Sequence, residues 1–292
     1  MPLTDISRVR RFSRAVTTET GALDQSFLGR GRPLGVARVL NAIGHGRGDV
    51  ADLRLYLGLD SGQLSRILRG LEEEGLITTE TAEEDARRRV AVLTGKGSAE
   101  FAEYEALSNA NANSLLSRHP DPDKLLEAMD FIASALTRDR ITIELADPES
   151  PHANWCLDRY FDEVNRLFKQ GFERAKTCDP QAPAMRPPKG AFLLALSDGL
   201  PIGCVALKGT DQGYAEVKRL WIAPSARGLG LSKRMMQETE REARRLGIDT
   251  LRLDTNEQMP AAIALYENTG WTSIERFNDD PYPTHFFEKK LT

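Results

Sequence analysis

Cysteine is scarce in this chain, and the number and spacing of its cysteines argue against both a structural zinc site and a disulfide framework. The three cysteines among 292 residues, Cys156, Cys178 and Cys204, are odd in number and widely spaced. No two of them have the spacing of zinc ligands, and an odd set does not suggest a disulfide framework. Unpaired cysteines of this kind favour a reducing compartment.

Long apolar runs and an excess of either charge are also missing. The N-terminus is polar and rich in arginine, and no apolar segment is long enough for export or for crossing a membrane. We therefore expect a cytoplasmic protein. The net charge is −4, with 19 basic against 21 acidic residues over 1–140 and 20 against 22 over the rest. Because neither half is basic overall, any contact with nucleic acid has to come from a local patch.

The pattern of hydrophobic residues changes near residue 140 and divides the chain in two. Over residues 5–140, apolar residues recur at spacings of three and four, which predicts mostly helix. From Ile141 onward the segment ITIEL alternates like a strand, and strands and helices then follow each other. A chain of this length suits two domains of ordinary size. We therefore predict a mainly-α domain over residues 1–140 and an α+β domain over residues 141–292.

The segment DLRLYLGLDSGQLSRILRGLEEEGLI, residues 52–77, has the pattern of a helix-turn-helix. Its first helix is short, Gly58 suits a left-handed C-cap, and Asp60 or Ser61 suits an N-cap. One apolar face of the second helix is formed by Leu64, Ile67, Leu68 and Leu71. The polar residues off this face can reach base edges in a major groove, and they are Gln63, Ser65, Arg66 and Arg69.

The following segment, ITTETAEEDARRRVAVLT, predicts two strands around a charged loop. Such a wing can carry arginine to phosphates or into a minor groove. Over residues 5–140 the arrangement resembles the MarR family of winged-helix regulators, with Asp85 and Arg87 at the family's Asp-x-Arg positions. These two residues usually pair in the family, so the resemblance leaves Arg88 and Arg89 as the groove-probing residues. It also implies a homodimer, held by its first and last helices, on a palindromic double-stranded DNA operator.

A helix-turn-helix fold can also serve as a protein-interaction module, and this alternative stays open. Acidic residues near the recognition helix and the wing are unfavourable for a polyanionic ligand, and they include Glu72, Glu73, Glu74, Glu80, Glu83 and Glu84. The polar face of the recognition helix and the arginines of the wing favour DNA binding over a bare interaction role.

The centre of the second domain, VKRLWIAPSARGLGLSKRMM, predicts a binding site for a phosphate group. An apolar strand ends at Ile222, and after a short turn the residues from Arg227 onward open a helix. Glycines at 228 and 230 leave backbone N–H groups available to converge on a phosphate, and they leave room for its close approach. The helix N-terminus adds positive potential at the same place.

A second motif follows at a matching distance, since LDTN ends a strand and AAIALYENTGW makes a helix and a turn. Residues 141–292 as a whole resemble the GNAT acyl-CoA N-acetyltransferases. The resemblance implies a mixed central sheet, acetyl-CoA as cofactor, and direct acetyl transfer to a primary amine. It also implies that the backbone of the strand ending at Ile222 forms hydrogen bonds with the pantetheine arm, and that the glycine-rich turn holds the pyrophosphate. These cofactor-binding residues are Leu220, Trp221, Ile222, Arg227, Gly228, Leu229, Gly230, Leu231 and Ser232.

Two positions depart from the family pattern. Ser232 stands where the family usually has Gly or Ala, but serine is small and can still donate its backbone N–H. Met259 stands where some relatives have an asparagine that contacts the cofactor, and Asn256 is the candidate for that contact.

Tyr266 and Glu216 are the candidate catalytic residues. By the resemblance, Tyr266 stands where a phenol reaches the thioester sulfur and protonates the leaving thiolate. The alternative is that its ring packs in the helix. Glu216 lies on the cofactor-contacting strand, where many relatives place the base that takes the proton of the amine. The alternative role of Glu216 is to form an ion pair with Lys218 or Lys208.

The acceptor is not specified, and both a small-molecule amine and a protein lysine stay open. Candidate acceptor-pocket residues on elements that flank the site in relatives are Tyr160, Phe161, Phe168, Phe277, Asn278, Tyr282 and His285. Cys156 and Cys204 are interpreted as packing residues, because direct transfer needs no acyl-enzyme.

The two resemblances together predict one polypeptide that regulates transcription and acetylates an amine. One alternative is a transcription factor that senses acetyl-CoA or an amine through a catalytically weak GNAT domain. Another is an enzyme whose helix-turn-helix half only dimerises it.

Overall fold

The computed structural model describes residues 4–82, 85–168, 171 and 181–291. By its internal contacts the chain divides into two units, Met1–Pro122 and Asp123–Thr292. The sequence pattern places the boundary later, after residue 140, because it follows the change from helix to strand. The helix that precedes this change belongs, by its internal contacts, to the second unit.

The first unit is a helical domain with a two-stranded wing. Its elements are α1 Asp5–Glu19, α2 Leu34–Gly44, α3 Val50–Leu57, α4 Ser61–Glu73, β1 Ile77–Ala82, β2 Asp85–Leu93 and α5 Gly95–Ser117. Gly58 is the left-handed C-cap of α3, and Asp60 caps α4 by accepting the N–H of Gln63 at 2.8 Å. The buried face of α4 is the predicted one and contains Leu64, Leu68 and Leu71. The predicted helix-turn-helix and wing are confirmed.

Helix α1 carries an exposed apolar stripe. Its members are Ile6, Val9, Phe12 and Val16, which are between 40% and 71% exposed, and no residue of α1 is buried. An apolar stripe along one face of a helix is normally covered by another surface. No helix within the described ranges has both the length and the apolar character needed to cross a membrane.

The second unit is an α+β domain around a seven-stranded sheet. Its elements are α6 Pro122–Leu136, β3 Thr142–Leu145, α7 Pro151–Leu167, β4 Ala191–Ser197, β5 Leu200–Gly209, β6 Ala215–Ile222, α8 Leu231–Arg245, β7 Thr250–Thr255, α9 Pro260–Glu267, β8 Thr272–Ser273 and β9 His285–Lys290. The strand order is β3-β4-β5-β6-β7-β9-β8. Strands β6 and β7 are parallel, and the other neighbouring strands are antiparallel. The predicted mixed central sheet is confirmed.

Strands β6 and β7 separate soon after they pair. Their ladder has two residue pairs, Ala215 with Leu251 and Glu216 with Arg252. Strand β7 stays paired with β9 along its whole length, so it is β6 that leaves the ladder. The sheet therefore opens between its two parallel strands.

A bulge in β6 accompanies this separation. Trp221 pairs with Cys204 and Lys218 with Ala206, so two residues of β6 stand opposite one residue of β5. One of the two is Arg219, which has a φ of +57°, in the left-handed region that non-glycine residues seldom adopt. The bulge lets β6 stay bonded to β5 while it bends away from β7.

Helices α7 and α8 both pack against β5, an interior strand of the sheet. Cys156 of α7 and Cys204 of β5 are fully buried in this core, and burial raises the pKa of the Cys204 thiol. A buried thiol that keeps its proton is a poor nucleophile, which agrees with packing roles for these two cysteines. Cys178 lies outside the described residues.

Candidate functional site

The glycine-rich turn before α8 has the backbone geometry of an anion-binding site. Gly228 and Gly230 have φ angles of +78° and +77°. A Cβ on Gly228 would meet no atom within 4 Å, so the backbone conformation, rather than packing, requires glycine there. Gly230 is the N-cap of α8, whose first N–H groups have no acceptor within the helix. These donors, at the positive end of the helix dipole, suit a phosphate group.

Arg227 of the same turn is held against the protein. Its Nε donates to the carbonyl oxygen of Ile222 at 3.0 Å, and its Nη2 donates to Oε2 of Glu163 at 2.5 Å. The same carboxylate oxygen accepts the indole N–H of Trp221 at 3.0 Å. Glu163 on α7 thus positions two of the predicted cofactor residues. No motif marks it, because it lies 64 positions from Arg227 in the sequence.

A further cation, Arg138, lies beside this turn. Its Nη2 is 3.9 Å from the point where a Cβ of Gly230 would stand. Arg138 belongs to a short 3-10 turn, Arg138–Arg140, that follows α6. A 3.1 Å hydrogen bond between the hydroxyl groups of Thr137 and Ser197 ties the start of this turn to β4. No sequence motif marks Arg138, because it falls in the connection before the first strand of the sheet.

Two adjoining cavities lie along the separated part of β6. The larger, of about 370 Å³, runs from β6 to the glycine-rich turn and is lined by Trp221, Ile222, Arg227, Gly228, Leu231 and Ser232, among others. The smaller, of about 100 Å³, lies between the ends of β6 and β7 and includes Asn256 and Tyr266. The wall shared by both cavities consists of Tyr160, Val164, Leu220, Met259 and Ala262. Of the predicted cofactor set, Leu229 and Gly230 line neither cavity.

The backbone of Ile222 offers a donor on the side that β7 has left. The next residue, Ala223, donates its N–H to the carbonyl oxygen of Ile202, which precedes the paired part of β5. Successive N–H groups of an extended chain point to opposite edges. The N–H of Ile222 therefore points to the opening between β6 and β7.

Tyr266 reaches the smaller cavity from α9 and is 6% exposed. Its ring packs against Trp271 and Phe287, with centroids 5.9 and 5.7 Å away. Burial, and then the negative charge of Asp254, raises the pKa of the Tyr266 hydroxyl above its ordinary value. The same two causes raise the pKa of Tyr160. Both phenols keep their protons well above neutral pH, so the ring of Tyr266 packs in the core while its hydroxyl can act as an acid.

Glu216 lines neither cavity. It is 5% exposed, and its carboxylate lies 3.1 Å from Nζ of Lys208 and 3.2 Å from Nζ of Lys218. Lys218 also lies 2.5 Å from Oδ2 of Asp254 on β7, so charges of alternating sign cross from β6 to β7. Burial acts to lower the pKa of Lys218, but the two carboxylates outweigh it and raise that pKa. The structure thus gives Glu216 the ion pairs that were its alternative role, and Asp254 is the carboxylate that lines the smaller cavity.

The side chain of Asn256 is engaged within the protein. Its Nδ2 donates to the carbonyl oxygen of Tyr282 at 2.6 Å, and its Oδ1 accepts the N–H of Gln258 at 2.9 Å. These bonds fix the turn that follows β7. A cofactor contact by this side chain would have to share or replace one of them.

The predicted base-reading residues of α4 all lie at the surface, and they are Gln63, Ser65, Arg66 and Arg69. On the wing, Arg89 is exposed as well. Arg88 instead donates from Nε to Oδ2 of Asp49 at 2.9 Å. Asp49 is the N-cap of α3, so Arg88 contacts the residue that caps the start of that helix. The side chains of Asp85 and Arg87 lie outside the described part of the chain.

Comparison with known proteins identifies a family for each half. Residues 154–271 match the family described as acetyltransferase (GNAT) family, and residues 30–88 match the MarR family. Both matches fall within the domains predicted from the sequence.

Individual relatives each match between 34% and 52% of this chain. An IAA acetyltransferase of Azospirillum brasilense is 37% identical over 101 residues, which cover 34% of this chain and 66% of that protein. An uncharacterised N-acetyltransferase of Bacillus subtilis is 32% identical over 37% of this chain and 74% of its own length. The crystal structure of a GNAT-family acetyltransferase from Staphylococcus aureus is 17% identical, covers 52% of this chain and 100% of its own, and has a TM-score of 0.46. For three of the curated relatives, the chain spans only 44–66% of their length.

We expect Glu216→Ala to destabilise the fold. Without this carboxylate, Lys208 and Lys218 lose the partner they share, and breaking a buried ion pair costs about 3–5 kcal/mol. The control Glu238→Ala removes a surface ion pair with Arg241 and should cost about 1 kcal/mol or less. Urea unfolding of both variants measures the difference. Equally small losses of unfolding free energy would contradict a structural role for Glu216.

Proposed function

The chain belongs to the GNAT acetyltransferase family and carries a MarR-family region ahead of that domain, and on this premise we propose that it is bifunctional. Its second half transfers an acetyl group from acetyl-CoA to a primary amine, and its first half binds DNA and regulates transcription. The observation that carries the enzymatic part is the opening between β6 and β7, which has an anion-binding turn near one end and Tyr266 near the other.

The residues around this opening fit acetyl-CoA, which supplies an acetyl group activated as a thioester. We assign its pyrophosphate to the backbone N–H groups of residues 228–232, with Arg138 as an additional cation. We assign its pantetheine arm to the open edge of β6 at Leu220, Trp221 and Ile222, where it would bond like an added strand. The larger cavity supports this assignment because its lining includes both the edge and the turn.

Direct acetyl transfer needs a donor to the carbonyl oxygen, an acid for the leaving thiolate and a base for the amine. Residues of this chain can supply all three. The N–H of Ile222 would bind the carbonyl oxygen as negative charge develops on it. Tyr266 would donate its proton to the departing thiolate, since its raised pKa keeps that proton in place. For the base that takes the proton of the amine, the sequence names Glu216. The ion pairs of Glu216 and the position of Asp254 in the smaller cavity favour Asp254.

The first half has the surface that a DNA-binding role needs. We propose that α4 enters a major groove with Gln63, Ser65, Arg66 and Arg69, and that Arg89, with Arg88, contacts the backbone or the minor groove from the wing. The exposed stripe of α1 supports a homodimer, which would pair two half-sites of a palindromic operator. A regulator that meets DNA and acetyl-CoA would work in the cytoplasm.

Acetyl-CoA consumption with a panel of small amines and lysine peptides tests the enzymatic part. We expect turnover, and we expect Tyr266→Phe to lower kcat by about 10²-fold or more with little change in acetyl-CoA binding, because only the acid is lost. The protonated form is the active one, so a raised pKa should keep this step active up to about pH 10. Acetyl-CoA binding by calorimetry without turnover on any acceptor would instead favour the sensory transcription factor.

Arg138→Ala should weaken acetyl-CoA binding by about tenfold, because it removes a cation beside the turn assigned to the pyrophosphate. The control is Arg241→Ala, which removes an exposed arginine of α8. Calorimetric titration of the two variants compares them. Equal dissociation constants would exclude Arg138 from the cofactor site.

DNA sites selected from a random duplex library allow the recognition helix to be tested by gel shift. Arg66→Ala should cost about 1–3 kcal/mol and relax base preference at one position, since a side chain on a recognition helix reads base edges. Arg89→Ala should weaken binding to all sites alike and reduce the salt dependence. Arg54→Ala on α3 serves as the control. Unchanged affinity for both test variants would favour the protein-interaction alternative.

A further inference from the structure

The wall of the larger cavity contains a buried polar side-chain atom that no described residue satisfies. This atom is Oε1 of Gln258, which is shielded from solvent and accepts no hydrogen bond from the described part of the chain. A buried acceptor without a donor is costly, so such groups are few in native proteins. We infer that Gln258 binds an amide N–H of the pantetheine arm of acetyl-CoA. This assignment rests on the proposed function and adds a cofactor-binding residue to the same site.

The neighbouring side chains that the family pattern brings into question already have partners. Asn256 donates from Nδ2 to the carbonyl oxygen of Tyr282, and its Oδ1 accepts the N–H of Gln258. The sulfur of Met259, a weak acceptor, accepts the hydroxyl of Thr255 at 4.0 Å. Of these three neighbouring side chains, Gln258 is therefore the one with a strong acceptor that is open to a ligand.

The turn after β7 holds the main chain on both sides of Gln258. The N–H of Glu257 donates to Oγ1 of Thr284 at 2.8 Å, and the N–H of Met259 donates to the carbonyl oxygen of Asn256 at 2.9 Å. The N–H of Gln258 itself donates to Oδ1 of Asn256 at 2.9 Å. An acceptor carried by a fixed turn loses less conformational freedom when it binds a ligand.

The lining of the larger cavity brings this acceptor to the cleft assigned to the pantetheine arm. It includes Leu220, Trp221 and Ile222 of β6, and it includes Gln258 from the turn that follows β7. The N–H and C=O of a planar trans amide point in opposite directions. When an amide of the arm accepts a bond from β6, its N–H therefore points away from β6. A carboxamide oxygen on the turn after β7 is suited to accept it.

The place of Gln258 favours the arm over the reacting end of the ligand. Tyr266, which is proposed to protonate the thiolate, lines the smaller cavity, whereas Gln258 lines the larger one. The larger cavity also includes Gly228 and Ser232 of the turn assigned to the pyrophosphate. The pantetheine arm joins the pyrophosphate to the thioester, so its amides lie between these two ends.

Titration with CoA, which needs no turnover, tests the contact in a calorimeter. Gln258→Met keeps the length of the side chain but replaces its amide with a weak acceptor. The dissociation constant for CoA should rise by about tenfold, because one hydrogen bond to the arm is lost. Adenosine 3′,5′-bisphosphate, which lacks the arm, should bind the native chain and the variant equally in competition with CoA. Gln237→Met, on the exposed face of α8, is the matched control.

Thermal unfolding separates this contact from a structural role of Gln258. Without ligand, Gln258→Met should unfold at the native temperature or above it, because the variant no longer buries an unsatisfied oxygen. The rise in the unfolding midpoint on addition of CoA should be smaller than in the native chain. A lower midpoint without ligand, together with an undiminished rise on addition of CoA, would show a structural role and overturn the assignment.

The remaining outcomes distinguish this contact from the proposed function. Equal binding of CoA to the native chain and to Gln258→Met would overturn the contact and leave the acetyltransferase intact. Equal weakening of CoA and of adenosine 3′,5′-bisphosphate would move the contact to the nucleotide and overturn the assignment to the arm. Failure of the native chain to bind CoA would overturn the proposed cofactor site, and this contact with it.

Discussion

The early separation of β6 from β7 is the constraint on which the active half depends. A strand inside a sheet normally satisfies its backbone groups on both edges. Here β6 is bonded to β7 at two residue pairs, and the rest of that edge faces a cleft. A ligand that can bond like a strand fits this edge, and the turn after β6 directs helix N–H groups to the same cleft. One break in the sheet thus explains both the place and the chemistry of the site.

Ion pairs connect β6 and β7 at the point where their ladder ends and the two strands begin to separate. Glu216 is in the last residue pair, and Lys218 reaches across to Asp254 on β7. Two carboxylates hold one ammonium group, so the cost of burying each charge is offset by its neighbours. A carboxylate with this role is poorly placed to exchange protons in every catalytic cycle. The ion pairs of Glu216 favour its alternative role as a support of the opening, and its role as a base stays a prediction.

The sequence was sufficient for those parts of the fold that depend on local patterns. The apolar face of α4 follows from residue spacing, and the turn at Gly228 follows from the glycines, because each is determined within a few residues. Glu163 and Arg138 could not be predicted in this way. They reach the site through α7 and through the connection after α6, and no local pattern encodes such contacts. Arg88 shows the same limit, since its bond to Asp49 joins the wing to a helix that lies far back in the sequence.

Fusion of a MarR-family region to a GNAT domain imposes a thermodynamic condition on any coupling between them. A ligand can change DNA affinity only by the difference between its own affinities for the two states of the protein. A tenfold change in operator affinity requires a difference of about 1.4 kcal/mol. Arg138 can contribute to such a difference, because it lies beside the glycine-rich turn and in the segment that follows α6. If this segment differed between two states of the protein, Arg138 would move relative to the turn proposed for the pyrophosphate, and by reciprocity a cofactor bound there would alter the proposed affinity for DNA.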